Sequence, residues 1–337
     1  AQILDFSADL NPLGPPGEVR AILQEGLKAL AHYPDPAYRR FRESAARAEQ
    51  VDPSWILPGN GTAELIYLIS RWKAGETVGV IVPTFTEYQR AAQSAGSEIL
   101  LFPSDLGELL PKLKQVRLLF LCNPNNPTGT LWLASLLRDL LEEAGRSGTV
   151  VVVDEAYMDF VEDPEACSAV PWVEIFPHLI VLRSLTKILA LPGLRIGYLV
   201  ASPAVLQELQ ALQSPWALTG LAAWLGAEWI GRQKHRRFVE ETREKLKLFR
   251  REFKAGLNGF PELRPLPTAA NFFLCRLSQD HSAVDLAKRL ASSGVLIRLC
   301  DDFSGLEKER FIRLAVRTPQ ENRRFLQLLQ EVFAHVG

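Results

Sequence analysis

No stretch of this 337-residue sequence approaches the roughly 18 consecutive apolar residues that a membrane-spanning helix needs, so no segment is expected to cross a bilayer. An excess of either charge is missing too: 38 Lys and Arg stand against 39 Asp and Glu, a net charge of -1. No global field therefore draws in nucleic acid or an anionic membrane, and an anionic ligand has to be recruited locally. Cysteine is scarce. Cys122, Cys167, Cys275 and Cys300 lie far apart, with no C-x-x-C spacing and no histidine at metal-ligand offsets. That argues against a disulfide framework and a metal site and reads as reduced, mostly buried thiols in a cytoplasmic protein. Ala1 to Asp9 carries neither the basic start nor the apolar core of a signal peptide. No internal repeat or low-complexity segment occurs. What is present, 47% hydrophobic and 23% charged residues, is an ordinary globular composition at a length that suggests about two domains.

Apolar periodicity supplies the outline. Asp5 to Gly17, rich in Asn, Pro and Gly, reads as an irregular arm, followed by helical patterns over Gly17 to Leu30 and Tyr38 to Gln50. Strand and helix then alternate: a helix over Ala63 to Trp72, a strand over Thr77 to Val82, a helix over Glu87 to Ala95, and strands over Glu98 to Phe102 and Val116 to Cys122. Leu133 to Gly145 is helical and Thr149 to Val153 is another all-apolar strand. Continuous apolar strands alternating with helices predict an α/β domain with a mainly parallel sheet, which binds ligands at its strand ends. Lys234 to Phe253, charged with both signs, reads as a long amphipathic helix bridging two lobes, its Arg236 and Arg237 on a solvated face. Strands over Asn271 to Arg276, Val295 to Leu299 and Phe311 to Val316 with intervening helices make a smaller α+β lobe.

Chemistry-bearing residues gather at the predicted strand ends. Gly59-Asn60-Gly61-Thr62 is a glycine turn opening onto a helix start, a geometry that offers backbone N–H groups to a phosphate. The run Asn123 to Gly129, NPNNPTG, forces a tight turn, and Thr149 to Val153 delivers Asp154, Glu155 and Tyr157. In Val181 to Val200, the hydroxyls of Ser184 and Thr186 flank Lys187, and Arg195 follows a Pro192-Gly193 turn. The arrangement suits a lysine that forms a Schiff base with an aldehyde cofactor while hydroxyls and a guanidinium hold the cofactor's phosphate.

With Phe85, these signals in this order resemble the fold-type I pyridoxal-phosphate enzymes of the aminotransferase superfamily. The resemblance implies a large domain with a mainly parallel seven-stranded sheet over residues 31–230, a small α+β domain over 231–337, and an arm, 1–30, belonging to the small domain. It implies pyridoxal 5'-phosphate on Lys187, with Asp154 at the ring nitrogen and Asn126 and Tyr157 at the ring oxygen. Phe85 would stack on the ring, and Gly61, Thr62, Ser184, Thr186 and Arg195 would form the phosphate cup. Tyr33 resembles a tyrosine that reaches a partner's cofactor, implying a homodimer with active sites at its interface. A cis peptide bond is implied at Asn126-Pro127.

Within the superfamily, D-F-S-x-x-x-N-P-L-G at Asp5 to Gly14, C-N-P-N-N-P-T-G, R-S-L-T-K with L-P-G-L-R-I-G-Y, Pro215-Trp216, and L-I-R-x-C with F-I-R-L-A-V-R resemble the threonine-phosphate decarboxylases of cobalamin biosynthesis. The expected substrate is then a phosphorylated amino acid, its anions held by Arg298 and Arg313, with Arg317 assisting and Asn126 and Asp9 nearby. Fork-shaped guanidinium groups suit both carboxylate and phosphate. The same residues serve transamination as well as decarboxylation, depending on which bond at Cα stands perpendicular to the ring. Histidinol-phosphate aminotransferase, or a binding protein on the same fold, are the other readings. Asp9 stands where this family often has asparagine: it turns away, pairs with an arginine, or marks a shifted substrate preference.

Overall fold

The computed structural model describes residues 3–334. Its strands are β1 (Leu4–Asp5), β2 (Ile56–Gly59), β3 (Val78–Ile81), β4 (Ile99–Phe102), β5 (Leu118–Cys122), β6 (Val150–Asp154), β7 (Leu179–Ser184), β8 (Gly197–Ala201), β9 (Leu263–Pro265), β10 (Phe272–Leu277), β11 (Val295–Leu296), β12 (Arg298–Leu299) and β13 (Phe311–Ala315). Seven of them form the large sheet, in the order β2-β8-β7-β6-β5-β3-β4. Every pairing from β7 to β4 is parallel, and β8 runs antiparallel to both β7 and β2.

The central strands are apolar up to their carboxyl ends because both faces of the sheet are covered. Alternate residues feed two cores: Leu119, Leu121, Val151, Val153 and Val181 face one, and Leu118, Phe120, Val152, Ile180 and Leu182 the other. With both faces occupied by core, polar groups emerge where the strands end, and the parallel strands end on one edge. Asn123 follows β5, Asp154 closes β6, and Ser184 closes β7.

The second lobe holds the antiparallel sheet β12-β13-β10-β9. The run Val295 to Leu299, expected as one strand, divides: Val295 and Leu296 pair in parallel with β1, whereas Arg298 and Leu299 pair with β13. Adjacent short strands thus serve two sheets; β1 ends at Asp5, where the arm begins, and residues 6–16 are irregular as expected. The helix expected to run to Leu30 gives way after Gly26 to a tighter turn over Leu27–Ala31. The long helix spans Gln233–Leu257 and packs against the C-terminal helix, where Leu326 lies against Gly256. Among the described residues, no helix is long and apolar enough to cross a membrane.

Candidate active site

A cavity of about 210 Å³ opens at the carboxyl edge of the large sheet. Asp9, Thr62, Phe85, Asn126, Asp154, Tyr157, Ser184, Thr186, Lys187, Arg195, Arg298 and Arg313 line it, so residues separated by up to 304 positions share one chamber. Gly61 is not among the lining residues; it lies next to Thr62 and beneath the Arg195 guanidinium, which are. Tyr33 does not line it. That side chain is 79% exposed and its ring packs on Trp216 at 4.6 Å between centroids. Arg317 also stays outside, its guanidinium on Glu321 at 3.0 Å.

Asp154 is buried at the end of β6. Its carboxylate accepts hydrogen bonds from the Tyr88 hydroxyl at 2.8 Å and from the Ala156 N–H at 3.0 Å. Burial pushes its carboxyl up to about 6, and these two donors, with the charge of Lys187, restrain the rise. Tyr88 was not expected from sequence. It sits three residues after Phe85, on the helix Glu87–Ser94, and stacks almost parallel on Phe120 at 5.0 Å. A buried tyrosine on an amphipathic helix reads as core, and only the fold brings its hydroxyl to Asp154. Phe303, on the small lobe, was missed for the same reason.

The NPNNPTG loop is fixed by its own side chains. Asn123 Oδ1 accepts from the Trp132 N–H at 2.8 Å, and Asn125 bonds Pro83 O and Thr84 Oγ1 at 2.7 Å each. Gly129 adopts φ +70°, and a Cβ there would sit 2.0 Å from Thr268 Oγ1. The Asn126–Pro127 bond is cis, as are Val82–Pro83 and Asn123–Pro124. Asn126 is left to face the cavity, its Oδ1 2.5 Å from an Arg313 Nη1 donor.

Opposite, the helix Gly61–Trp72 starts at the cavity wall without a side-chain cap, so its first amides are free for an anion. Arg195, at φ +53°, lays its guanidinium over Gly61, where a Cβ would lie 2.6 Å from Nη2. Ser184 Oγ and Thr186 Oγ1 are 2.7 Å apart on the same side. Backbone amides, two hydroxyls and a guanidinium thus converge.

Lys187 follows β7 in the short helix Leu185–Ile188. Its Nζ lies 2.5 Å from Asp9 Oδ1, and Asp9 Oδ2 takes Tyr157 Oη at 2.5 Å and Arg313 Nη1 at 2.9 Å. Of the three fates open to Asp9, the second holds: it pairs with an arginine. Burial opposes its charge, yet the Arg313 and Lys187 charges hold its carboxyl well below the usual carboxylate range. Arg298 and Arg313 stand directly opposite each other across β12 and β13. Such a like-charged pair is unfavourable by itself. Each is relieved by its own carboxylate, Arg313 by Asp9 and Arg298 by Asp302 at 2.7 Å.

Among the described residues, no group of three His, Cys, Asp or Glu side chains could hold a metal ion. The donor set suits an organic phosphate carrying an aromatic nitrogen.

The family model for aminotransferase class I and II matches residues 1–329. The threonine-phosphate decarboxylase of Salmonella typhimurium is 35% identical over 348 residues, covering 100% of this chain and 93% of that protein. The histidinol-phosphate aminotransferase of Symbiobacterium thermophilum is 35% identical over 339 residues, covering 97% and 90%. The crystal structure of L-threonine-O-3-phosphate decarboxylase from Porphyromonas gingivalis superimposes with a TM-score of 0.89 at 28% identity, covering 98% of this chain and 100% of that one. The seven-stranded, mainly parallel sheet with its smaller α+β lobe is the fold-type I architecture. With sequence and fold matched from the arm through both lobes, the chain belongs to the aminotransferase class I and II family.

Proposed function

We propose that the protein is a pyridoxal-phosphate-dependent carboxy-lyase that converts L-threonine O-3-phosphate to 1-amino-2-propanol O-2-phosphate and CO2 in cobalamin biosynthesis, in the cytoplasm. The observation that carries this reading is the convergence of Lys187, Asp154 and the Gly61–Arg195 cradle on one cavity that also holds Arg298 and Arg313. Full-length similarity to threonine-phosphate decarboxylases supports the choice of reaction.

The residues fit the cofactor. A side chain at Gly61 would collide with Arg195, so this space suits a phosphate held by the Gly61 and Thr62 amides, Ser184, Thr186 and Arg195. Asp154 would hold a proton on the ring nitrogen, and Asn126 and Tyr157 would bond the ring oxygen. Phe85 would cover one ring face. When bound, the cofactor supplies an electron sink for the pair left as a bond at Cα breaks. Arg313, with Asn126, would bind the substrate carboxylate and set its angle to the ring. Arg298 would draw the phosphate. Lys187 would carry the cofactor and then return a proton to Cα after CO2 leaves, which makes it the general acid of the reaction. The orientation that Arg313 and Asn126 impose at Cα would choose the outcome: the carboxylate would be lost as CO2, or a Cα–H proton would pass to Lys187 Nζ and transamination would follow.

A homodimer completes the proposal. Leu27, Leu30, Tyr33 and Trp216 are exposed apolar side chains, and a partner copy that covers them would receive Tyr33 at its own cofactor phosphate. Sedimentation at twice the chain mass is expected; a monomer would exclude this part.

The test of the reaction is one assay of cofactor-loaded protein with O-phospho-L-threonine, following CO2 release and amino transfer to 2-oxoglutarate together. CO2 with aminopropanol phosphate is expected. Amino transfer without CO2 would move the protein to the aminotransferase branch, a reading to which the 35% identity with a histidinol-phosphate aminotransferase gives weight.

A further inference from the structure

The cavity contains an anion that the protein supplies itself. The Asp9 carboxylate is buried and lies on Arg313, the guanidinium best placed for a substrate carboxylate. The charged and titratable groups facing Asp9 come from every side. Lys187 approaches from the turn after β7, Arg313 from β13, and Tyr157 from the segment after β6. The Cys122 thiol, from β5, is pushed up by burial and brings no charge. Arg298 is engaged with Asp302 and gives Asp9 no second guanidinium.

Asp9 has little room to withdraw. Its carbonyl accepts from Asn271 Nδ2 at 2.9 Å. Two residues on, the Asn11 N–H bonds Lys187 O at 3.0 Å and its Nδ2 bonds Ile188 O at 2.8 Å, so the arm is fastened to the lysine turn. A substrate anion arriving at Arg313 therefore meets a second carboxylate within contact distance. Two like charges so close in a buried site do not both stay ionised.

We propose that Asp9 is a specificity-determining residue: its carboxylate already neutralises Arg313, so an anionic group binds that guanidinium only as Asp9 takes up one proton from solvent. The proton comes from the buffer and ends on a carboxylate oxygen of Asp9; the incoming anion takes over Arg313, and the charge of the cavity is unchanged. The neutral acid can itself donate to Tyr157 Oη, which leaves the tyrosine's own proton for the ring oxygen. Selection follows from the proton cost. The site discriminates against a ligand whose anion gains too little from Arg313 to protonate Asp9, and it favours neutral or zwitterionic groups that leave the Asp9–Arg313 pair intact. This inference rests on reading the cavity as the site of an anionic amino-acid substrate.

The test is calorimetric titration of the cofactor-loaded protein with D-glycerate 3-phosphate at pH 7.5, in buffers of differing ionisation enthalpy. This probe carries a carboxylate and a phosphate but no amine, so it does not react with the cofactor. Wild type is expected to take up about one proton more per bound probe than Asp9→Asn, and the isosteric variant to bind about tenfold tighter, since it removes the repelling charge. The wild-type count, corrected for titration of the probe's own phosphate, stands alone should the variant fail to fold. Equal proton counts and affinities in the two proteins would overturn the proposal, as would a probe that binds neither. CO2 release is a separate readout. A protein that releases none from O-phospho-L-threonine yet shows Asp9-dependent proton uptake loses the functional reading and keeps this one.

Discussion

Tyr88→Phe isolates one hydroxyl. The ring that stacks on Phe120 is retained, and what disappears is the 2.8 Å hydrogen bond to Asp154 Oδ2, leaving the Ala156 N–H as the carboxylate's donor. A hydrogen bond to a charged group is worth about 1.5–3 kcal/mol, which is about one to two pKa units. Burial has already pushed Asp154 to about 6, and the hydroxyl stabilises the charged form. Its loss moves the carboxyl further up. Pairing with a protonated ring nitrogen needs Asp154 ionised before the cofactor arrives, so affinity weakens as pH falls through the carboxyl's own value. At pH 7 the ionised share drops from about nine-tenths to between about a half and a tenth, and the cofactor should bind about two- to tenfold more weakly. The assay is quenching of tryptophan fluorescence by pyridoxal phosphate from pH 5.5 to 9. The two proteins should converge at the alkaline end and separate towards pH 6. Titration of the cofactor itself is common to both and cancels in the ratio. Superimposable profiles would refute the placing of Asp154 at the ring nitrogen.

Lys187→Ala should abolish CO2 release while circular dichroism and the unfolding midpoint stay near those of wild type, because the side chain is partly exposed and fills no core; residual turnover near the wild-type rate would remove Lys187 from the mechanism. Gly61→Ala sets a Cβ 2.6 Å from Arg195 at φ +72°. It should cost about 1–2 kcal/mol of stability in urea denaturation and weaken the cofactor by about tenfold or more through a displaced guanidinium; an unchanged cofactor affinity would contradict the cradle. Glu155, pushed up by burial to about 7 from 4.5, favours the fold below about pH 4.5 and loses that contribution as pH rises through 7, about 3 kcal/mol in all. Denaturation of Glu155→Gln at pH 5 and pH 8 should show a correspondingly smaller difference than wild type.

The architecture was legible where physics acts locally. Apolar runs such as Leu118 to Cys122 are continuous because helices cover both faces of the sheet, and that signal survives in a bare sequence. Polar residues ending such runs are conspicuous, so Asp154, Ser184 and Lys187 stood out before any coordinates. Chain geometry at short range decides less. Val295 to Leu299 read as one strand because a hydrophobic pattern does not say which neighbour each half will find, and the two halves find β1 and β13. Tyr88 and Phe303 were illegible for a related reason: an aromatic residue on an amphipathic helix or in a polar loop carries no mark of the distant group it will touch. Tyr33 was singled out by resemblance; its exposed ring packs on Trp216 outside the cavity, and the role proposed for it lies with a second copy of the chain.

The arginines show how a sequence reading of charge can be right in sign and incomplete in consequence. Arg298 and Arg313 in a protein of net charge -1 read as a local anion trap. Holding two guanidinium groups in register across β12 and β13, one of them buried, is costly without counter-charge, and the fold provides one carboxylate for each. Asp302 lies four residues from Arg298, in the turn that follows β12, whereas Asp9 comes from the opposite end of the chain and touches Lys187 as well. The two arginines are therefore not equivalent. Arg298, partly exposed and held by a partly exposed partner, would exchange Asp302 for a ligand phosphate at little cost in solvent. Arg313 is buried, and its partner is buried with it, so on the proposal above exchange there would require that Asp9 lose its charge. On the proposed reading, phosphate recognition would be the easy half of binding, and discrimination would fall on the carboxylate, the group whose orientation would decide between decarboxylation and transamination.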